Sequence, residues 1–264
     1  MTKSVQTQIG EVRVTVWNDG QFDLPSEYFF GVPNSVTLGE TVPAGANLWL
    51  IETGNRRVLV DTGSGQALKA RFPATGAALA DLSQEAVTDI VLTHMHADHI
   101  GGLMSQDWGG VPIHLAQAEW AFWTAPGLLE ATPEASKPMV EMIQTGALGF
   151  ADRVVIHEGE SDLGDGLHLV PLPGHTPGHS GLRMASGADS LLIVGDAVIS
   201  EAIQFAHVDV GYALDSDAAR AADTRARVFA EVAASGERIA ATHLPFPGVG
   251  TVEKDGDGWR FVTI

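Results

Sequence analysis

Residues 89–102 read Asp-Ile-Val-Leu-Thr-His-Met-His-Ala-Asp-His-Ile-Gly-Gly, and this stretch decides the fold. Its first five residues, Asp89 to Thr93, are a short apolar run of buried-strand type that delivers the chain into His94. The next six positions hold three imidazoles and a carboxylate, His94, His96, Asp98 and His99, just ahead of Gly101-Gly102. Side chains of these types, concentrated at a strand end, make a cage rather than a core. Imidazole nitrogen and carboxylate oxygen are borderline-to-hard ligands that suit Zn, Mn, Fe or Co. The chain has no cysteine, which excludes thiolate ligands, disulfides and cysteine nucleophiles together. At this composition the same four residues at the same offsets arise by chance roughly once in a thousand such sequences.

Upstream, Glu11-Val12-Arg13-Val14-Thr15-Val16-Trp17 alternates strictly and predicts a strand. Apolar runs at 47–52 and 57–61, on either side of Thr53-Gly54-Asn55-Arg56, predict a hairpin. Residues 18–46 are rich in Gly, Pro, Asn and Ser with Phe22, Tyr28, Phe29 and Phe30 embedded, and are expected to form a long loop bordering a pocket. Helical spacing is expected over 66–82. Downstream, the pattern predicts a strand at 112–115, a helix from Gln117, a second helical stretch from Pro133 to Gln144, and strands near 153–157, 167–172 and 190–195. A long helix over 216–234, a strand at 238–241 and a hairpin turning at Gly256 to Gly258 complete the chain. Strands alternating with helices predict an α/β architecture of sheets covered by helices. With no linker or low-complexity tract, residues 1–264 are expected to be a single domain.

The 264 residues are 45% hydrophobic, enough for a large core. Fifteen Lys and Arg stand against 33 Asp and Glu, a formal charge of -18, which argues against RNA, DNA and anionic membrane surfaces as partners. No stretch reaches the roughly 18 to 20 apolar residues of a membrane span, and the opening residues lack the apolar core of a signal peptide. The cytoplasm is the expected address.

His-x-His-x-Asp-His after a strand resembles the hallmark of the metallo-β-lactamase superfamily, and the rest of the chain follows that pattern in order. His175 lies in Pro173-Gly174-His175-Thr176-Pro177-Gly178-His179, Asp196 follows the strand Leu191 to Val194 through Gly195, and His243 follows the strand at 238–241. The resemblance implies a four-layer αβ/βα sandwich of two mixed β-sheets flanked by helices. It also implies two divalent metal ions per chain, zinc in the first place, with Mn, Fe or Co accepted by the same donors. One ion would take His94, His96 and His175, the other Asp98, His99 and His243, with Asp196 bridging them and a bridging hydroxide as nucleophile. Asp98 is the candidate proton carrier to the leaving group, and Asp61, in Leu59-Val60-Asp61-Thr62-Gly63, matches an aspartate that orients a ligating imidazole. His179 is expected to support the His175 turn, and His114, His157, His168 and His207 to be structural.

Asn47-Leu48-Trp49-Leu50-Ile51, Phe122-Trp123, Gln204-Phe205, Leu214-Asp215-Ser216-Asp217 and His243-Leu244-Pro245-Phe246-Pro247-Gly248-Val249-Gly250 are similar to the methyl parathion hydrolase branch of that superfamily. This likeness implies a lactonase, arylesterase or phosphotriesterase acting on a small, largely apolar ester, lactone or organophosphate triester. Trp123 matches the branch as a pocket residue, whereas Leu68 and Met139 stand where phenylalanine is expected. In acyl-homoserine lactonases of a neighbouring branch a Tyr follows the bridging Asp by three residues; here that position is Ile199. The competing readings are a glyoxalase-II-like thioester hydrolase, disfavoured by the scarcity of basic residues, and a mononuclear iron persulfide dioxygenase, disfavoured by the complete second ligand set. The family resemblance and the apolar N-terminal loop point to a homodimer.

Overall fold

The computed structural model describes residues 4–82 and 86–264. Its first half lays down β1 (Ser4–Ile9), β2 (Val12–Pro25), β3 (Phe29–Phe30), β4 (Thr41–Thr53), β5 (Arg56–Val60), β6 (Asp89–Val91), β7 (Ile113–Ala116) and β8 (Val154–His157). The second half adds β9 (Ser161–Gly164), β10 (Leu167–Pro171), β11 (Ser180–Ser186), β12 (Asp189–Ile193), β13 (Gly211–Tyr212), β14 (Arg238–Ala240), β15 (Val249–Asp255) and β16 (Gly258–Thr263). The helices are α1 (Leu79–Leu82), α2 (Ala97–Ser105), α3 (Gln117–Trp123), α4 (Leu128–Ala131), α5 (Lys137–Phe150), α6 (Glu201–Gln204) and α7 (Ala218–Ser235).

Two seven-stranded mixed sheets, ordered β1-β2-β4-β5-β6-β7-β8 and β16-β15-β14-β12-β11-β10-β9, are flanked by helices. Their layering follows from the period of two in a strand, which sends successive side chains to opposite faces. In β4, Trp49 and Ile51 enter the core between the sheets while Leu48 and Leu50 enter the core under α2, α3 and α5. In β12, Leu191 and Ile193 point between the sheets while Leu192 faces the layer that holds Val228, Phe229 and Val232 of α7. Strands buried on both faces read as unbroken apolar runs, which is why these segments show no alternation in sequence. The expected four-layer αβ/βα sandwich is the observed one.

Two local expectations are corrected. Residues 18–46 are not mainly loop: β2 and β4 pair across Asn18↔Asn47 and on to Pro25↔Thr41, with a bulge between Asn18 and Gly20. Phe22 and Leu24 are buried between exposed Gln21 and Asp23, and Val42, Ala44 and Ala46 alternate likewise, a strand signal that the Gly, Pro and Asn content of the stretch conceals. The helix expected over 66–82 is confined to Leu79–Leu82. The buried carboxylate of Asp19 accepts from the backbone N–H groups of Ser64, Gly76 and Ala78, which fastens 64–78 as a series of turns.

Helix α2, not anticipated from sequence, begins inside the His/Asp motif. Its Gly101 and Gly102 weaken helix propensity, yet each is required: a Cβ would lie 2.1 Å from the Ser64 carbonyl oxygen and 2.2 Å from that of Thr62. The helix therefore packs directly on the backbone after β5, which brings His99 under Asp61.

Candidate metal centre

The candidate residues converge because each follows a strand that ends at the same edge of the sandwich. His94 comes three residues after β6, Asp196 three after β12, His243 three after β14, and His175 from the turn between β10 and β11. His94, His96 and His175 form one buried group of donor atoms, and Asp98, His99, Asp196 and His243 a second.

In the first group, His96 Nδ1 stands 2.9 Å from His94 Nε2 and 3.0 Å from His175 Nε2. Three ring nitrogens at such spacing cannot satisfy one another, since an N–H···N bond pairs only two of them. In two of the rings the opposite nitrogen is already engaged: His175 Nδ1 donates to Asp215 Oδ1 at 2.8 Å, and His94 Nδ1 lies 3.1 Å from Thr93 Oγ1. Lone pairs are thus left converging on one point, which a cation satisfies. In the second group, His99 Nε2 and Asp196 Oδ1 are buried, 3.3 Å apart, and have no hydrogen-bond partner. Orphaned buried polar atoms are costly and rare, and both of these face the cluster. The donor set, all nitrogen and oxygen, fits divalent ions of borderline or hard character.

Asp196 lies between the groups, with Oδ2 at 3.1 Å from His243 Nε2, 3.4 Å from His175 Nε2 and 3.8 Å from His94 Nε2. Asp98 Oδ2 is 3.4 Å from His243 Nε2 and 3.7 Å from His99 Nε2. Burial opposes ionisation of Asp196, but His243, His99 and His94 outweigh it and hold the carboxyl well below its ordinary range. Burial and the neighbouring His99 push His94 well below the usual imidazole value, and burial with His175 does the same to His96, so both rings present the neutral form that binds metal.

The rings are held from behind. Asp61, in a left-handed backbone conformation (φ 59°), takes Thr93 N–H on Oδ1 at 2.8 Å, and on Oδ2 takes the Thr93 hydroxyl at 2.8 Å and His99 Nδ1 at 2.7 Å. His243 Nδ1 donates to the Gly45 carbonyl at 2.9 Å, and Asn47 Nδ2 holds the carbonyls of Ala241, Thr242 and Leu244 around it. His179 donates from Nδ1 to the Leu172 carbonyl at 2.9 Å and accepts the Asp196 N–H on Nε2 at 3.0 Å, so it steadies Asp196 as well as the His175 turn. Burial and His175 push its imidazole down to about 3.

Because the folded value lies below the unfolded one, the stability His179 contributes is present above about pH 6.5 and is lost as pH falls toward the folded value. In the metal-free protein the stability gap between native chain and His179→Asn should shrink on acidification by about 1.4 kcal/mol per pH unit below that point, read from denaturant titrations. A pH-independent gap would remove the assignment.

A cavity opens over this cluster with Asp98, Asp196 and His243 in its floor. Phe22 and Leu24 of β2, Leu68 and Phe72 of the fastened turns, and Met139 of α5 supply apolar walls. Leu68 and Met139 thus line the cavity, and the expected aromatic segment at 18–46 borders it through Phe22 and Tyr28. Trp123 does not line the cavity: it is 3% exposed, packs in the core under α3 with its ring 5.4 Å from that of His96, and donates to Glu119. Of the other histidines, His114 and His157 pair with each other at 2.9 Å on β7 and β8. Two supporting carboxylates escaped the sequence reading. Asp215 lies in the Leu214-Asp215-Ser216-Asp217 stretch, where nothing local marks it as a partner of His175; Glu119, buried in α3, carries no sequence signal at all.

An αβ/βα sandwich with His and Asp side chains gathered at its strand ends defines a class of metal-binding proteins. The chain belongs to the metallo-beta-lactamase superfamily, whose family model matches residues 41–258. Among solved structures it is similar to the hydrolase AbOPH of the beta lactamase superfamily, at TM-score 0.87 and 27% identity over 100% of this chain and 98% of that one. It shares its fold with AidC, a dizinc quorum-quenching lactonase, at TM-score 0.87 and 24% identity over 100% of this chain and 98% of that one. A probable metallo-hydrolase of Mycobacterium tuberculosis is 30% identical over 180 residues, covering 56% of this chain and 55% of that protein. The chain thus spans about half the length of that curated relative. Among the described residues, no helix is long and apolar enough to cross a membrane.

Proposed function

We propose that the protein is a dinuclear metal-dependent hydrolase that opens lactones or cleaves small apolar esters, with phosphotriester hydrolysis as a side activity in the manner of the methyl parathion hydrolase branch. The observation that carries this reading is the orphaned, buried pair His99 Nε2 and Asp196 Oδ1 beside three converging imidazoles, in a cluster that reaches an apolar-walled cavity through His96, Asp98, His175, Asp196 and His243. In this reading His94, His96 and His175 would hold one ion and Asp98, His99 and His243 the other, with Asp196 available to both. Bound there, divalent ions supply Lewis acidity, which lowers the pKa of water from about 15.7 toward about 7 and polarises a carbonyl or phosphoryl oxygen.

The chain's own part is positional. Asp61, Asp215 and the Gly45 carbonyl fix the tautomers of His99, His175 and His243, so the nitrogen turned to the centre is the unprotonated one. The walls Phe22, Leu68, Phe72 and Met139 exclude water and orient an apolar acyl or aryl group. Asp98, partly exposed beside His243, carries the proton to the leaving group. A lactone-opening role is supported by the fold shared with AidC, and a hydrolase role by the likeness to AbOPH.

The test is metal content per chain together with initial rates on an acyl-homoserine lactone, a phenyl ester and a dimethyl aryl phosphotriester, before and after chelation and in His94→Ala. Two ions per chain and a lactone or ester rate that disappears with the metal or the imidazole are expected. One iron per chain, or no turnover of any of the three, overturns the proposal. Asp98→Asn retaining both ions and full rate would remove its proton role alone.

A further inference from the structure

In a chain of charge -18, most arginines are spoken for: Arg13, Arg56, Arg57, Arg183, Arg227, Arg238 and Arg260 each pair with a carboxylate. Arg71 is different. Among the described residues it forms no ion pair, and it stands in the cavity wall. Its guanidinium carbon lies 5.3 Å from the Phe72 ring centroid and 5.9 Å from that of Tyr28, and Nη2 donates to the Tyr28 hydroxyl. Stacking on rings orients the planar cation, and because the side chain is exposed most of its five N–H donors stay open to a ligand in place of solvent. The segment that carries it is fixed: Phe72 N–H bonds the Leu68 carbonyl at 2.8 Å, the Phe72 ring meets Phe22 edge-on at 5.0 Å, and Asp19 fastens the turns on either side.

The surrounding electrostatics sharpen the meaning. A net negative surface repels anions, so an unpaired cation among the apolar walls of the pocket is a local exception to the field of the molecule. The carboxylates lining the same cavity, Asp98 and Asp196, belong to the cluster in its floor. Arginine's fork matches a carboxylate in two parallel hydrogen bonds, a geometry lysine cannot copy.

We propose that Arg71 forms an anion subsite that selects substrates carrying a carboxylate at the end of an apolar body remote from the bond broken at the cluster. The inference rests on the proposed function only for which end reacts. Such a substrate would span the cavity, with its reacting carbonyl over Asp98 and Asp196, its chain along Phe22, Leu68 and Phe72, and its free carboxylate on the Arg71 fork.

Calorimetric titration of the metal-loaded protein with straight-chain dicarboxylates of about five to ten carbons, each against the monocarboxylate of equal length, tests the subsite without any turnover. At least one dicarboxylate should bind native protein about 10-fold more tightly than its monocarboxylate, and the advantage should weaken as salt rises. In Arg71→Met, which keeps the apolar stem over the rings, the advantage should fall to about 2-fold or less; Arg71→Lys, retaining charge without the fork, should keep an intermediate value. No advantage in native protein at any length, or an undiminished one in Arg71→Met, overturns the subsite. An Arg71-dependent preference alongside absent hydrolysis would instead overturn the proposed function and leave the subsite standing.

Discussion

Asp196→Asn should lower the rate of lactone or ester hydrolysis by the metal-supplied protein about 1,000-fold or more and reduce bound metal below two ions per chain, since one carboxylate serves both donor groups. The reason lies in the distances: Oδ2 reaches His243, His175 and His94 at 3.1, 3.4 and 3.8 Å, while Oδ1 faces His99 at 3.3 Å. An asparagine of the same shape offers one acceptor oxygen in place of two and removes the negative charge that would offset bound dications. Its N–H₂ would also turn a donor toward His99 or His243, both of which present Nε2 to that position. Metal analysis by mass spectrometry and steady-state rates on the same sample decide the matter. Two ions per chain with a rate within 10-fold of native would show that Asp196 neither bridges nor matters to the chemistry.

The sequence made the centre itself legible because metal ligation needs rare residue types at fixed offsets. His94, His96, Asp98 and His99 sit within six positions, and His175, Asp196 and His243 each follow a recognisable strand or turn. The layers were legible for the related reason that doubly buried strands such as Trp49 to Ile51 read as unbroken apolar runs. What failed were places where tertiary contacts override local signals. Gly101 and Gly102 argue against a helix locally, yet the helix they join packs so close to Ser64 and Thr62 that a Cβ at either position would meet a backbone carbonyl oxygen. Residues 66–78 carry helical spacing, but the single carboxylate of Asp19, far off in sequence, claims the backbone donors of Ser64, Gly76 and Ala78 at the two ends of the stretch. A match of residue type points Trp123 toward the pocket, whereas its indole N–H is claimed by a buried carboxylate and its ring packs in the core beside His96. Partners such as Glu119 are invisible from sequence because any buried carboxylate looks like a surface one until its donors are known.

Glu119 carries the second large effect. It is fully buried, and burial pushes its carboxyl above the usual range even though hydrogen bonds pull the other way. Oε1 accepts from Met95 N at 2.9 Å and Trp123 Nε1 at 2.6 Å; Oε2 accepts from Thr176 Oγ1 at 2.5 Å and Gly178 N at 3.2 Å. Met95 lies between His94 and His96, and Thr176 and Gly178 flank the turn of His175, so one side chain joins the two segments that supply the first group of donors. The fit is close: a Cβ on Gly178 would lie 1.9 Å from Glu119 N. Glu119→Ala leaves four buried donors unsatisfied and should cost about 3 to 5 kcal/mol of folding stability. Glu119→Gln, which sets an amide N–H₂ against two of those donors, should cost about 2 to 3 kcal/mol despite keeping shape and volume. A purely structural residue would stop there. Because Glu119 positions ligands of one group only, the glutamine variant should also bind one of its two ions about 10- to 100-fold more weakly while the other ion's affinity stays near native. Denaturant titration measures the first effect and stepwise metal titration the second. A stability loss under about 0.5 kcal/mol would show that the four donors find other partners, and equal weakening of both ions would deny Glu119 its selective hold on the His94, His96 and His175 group.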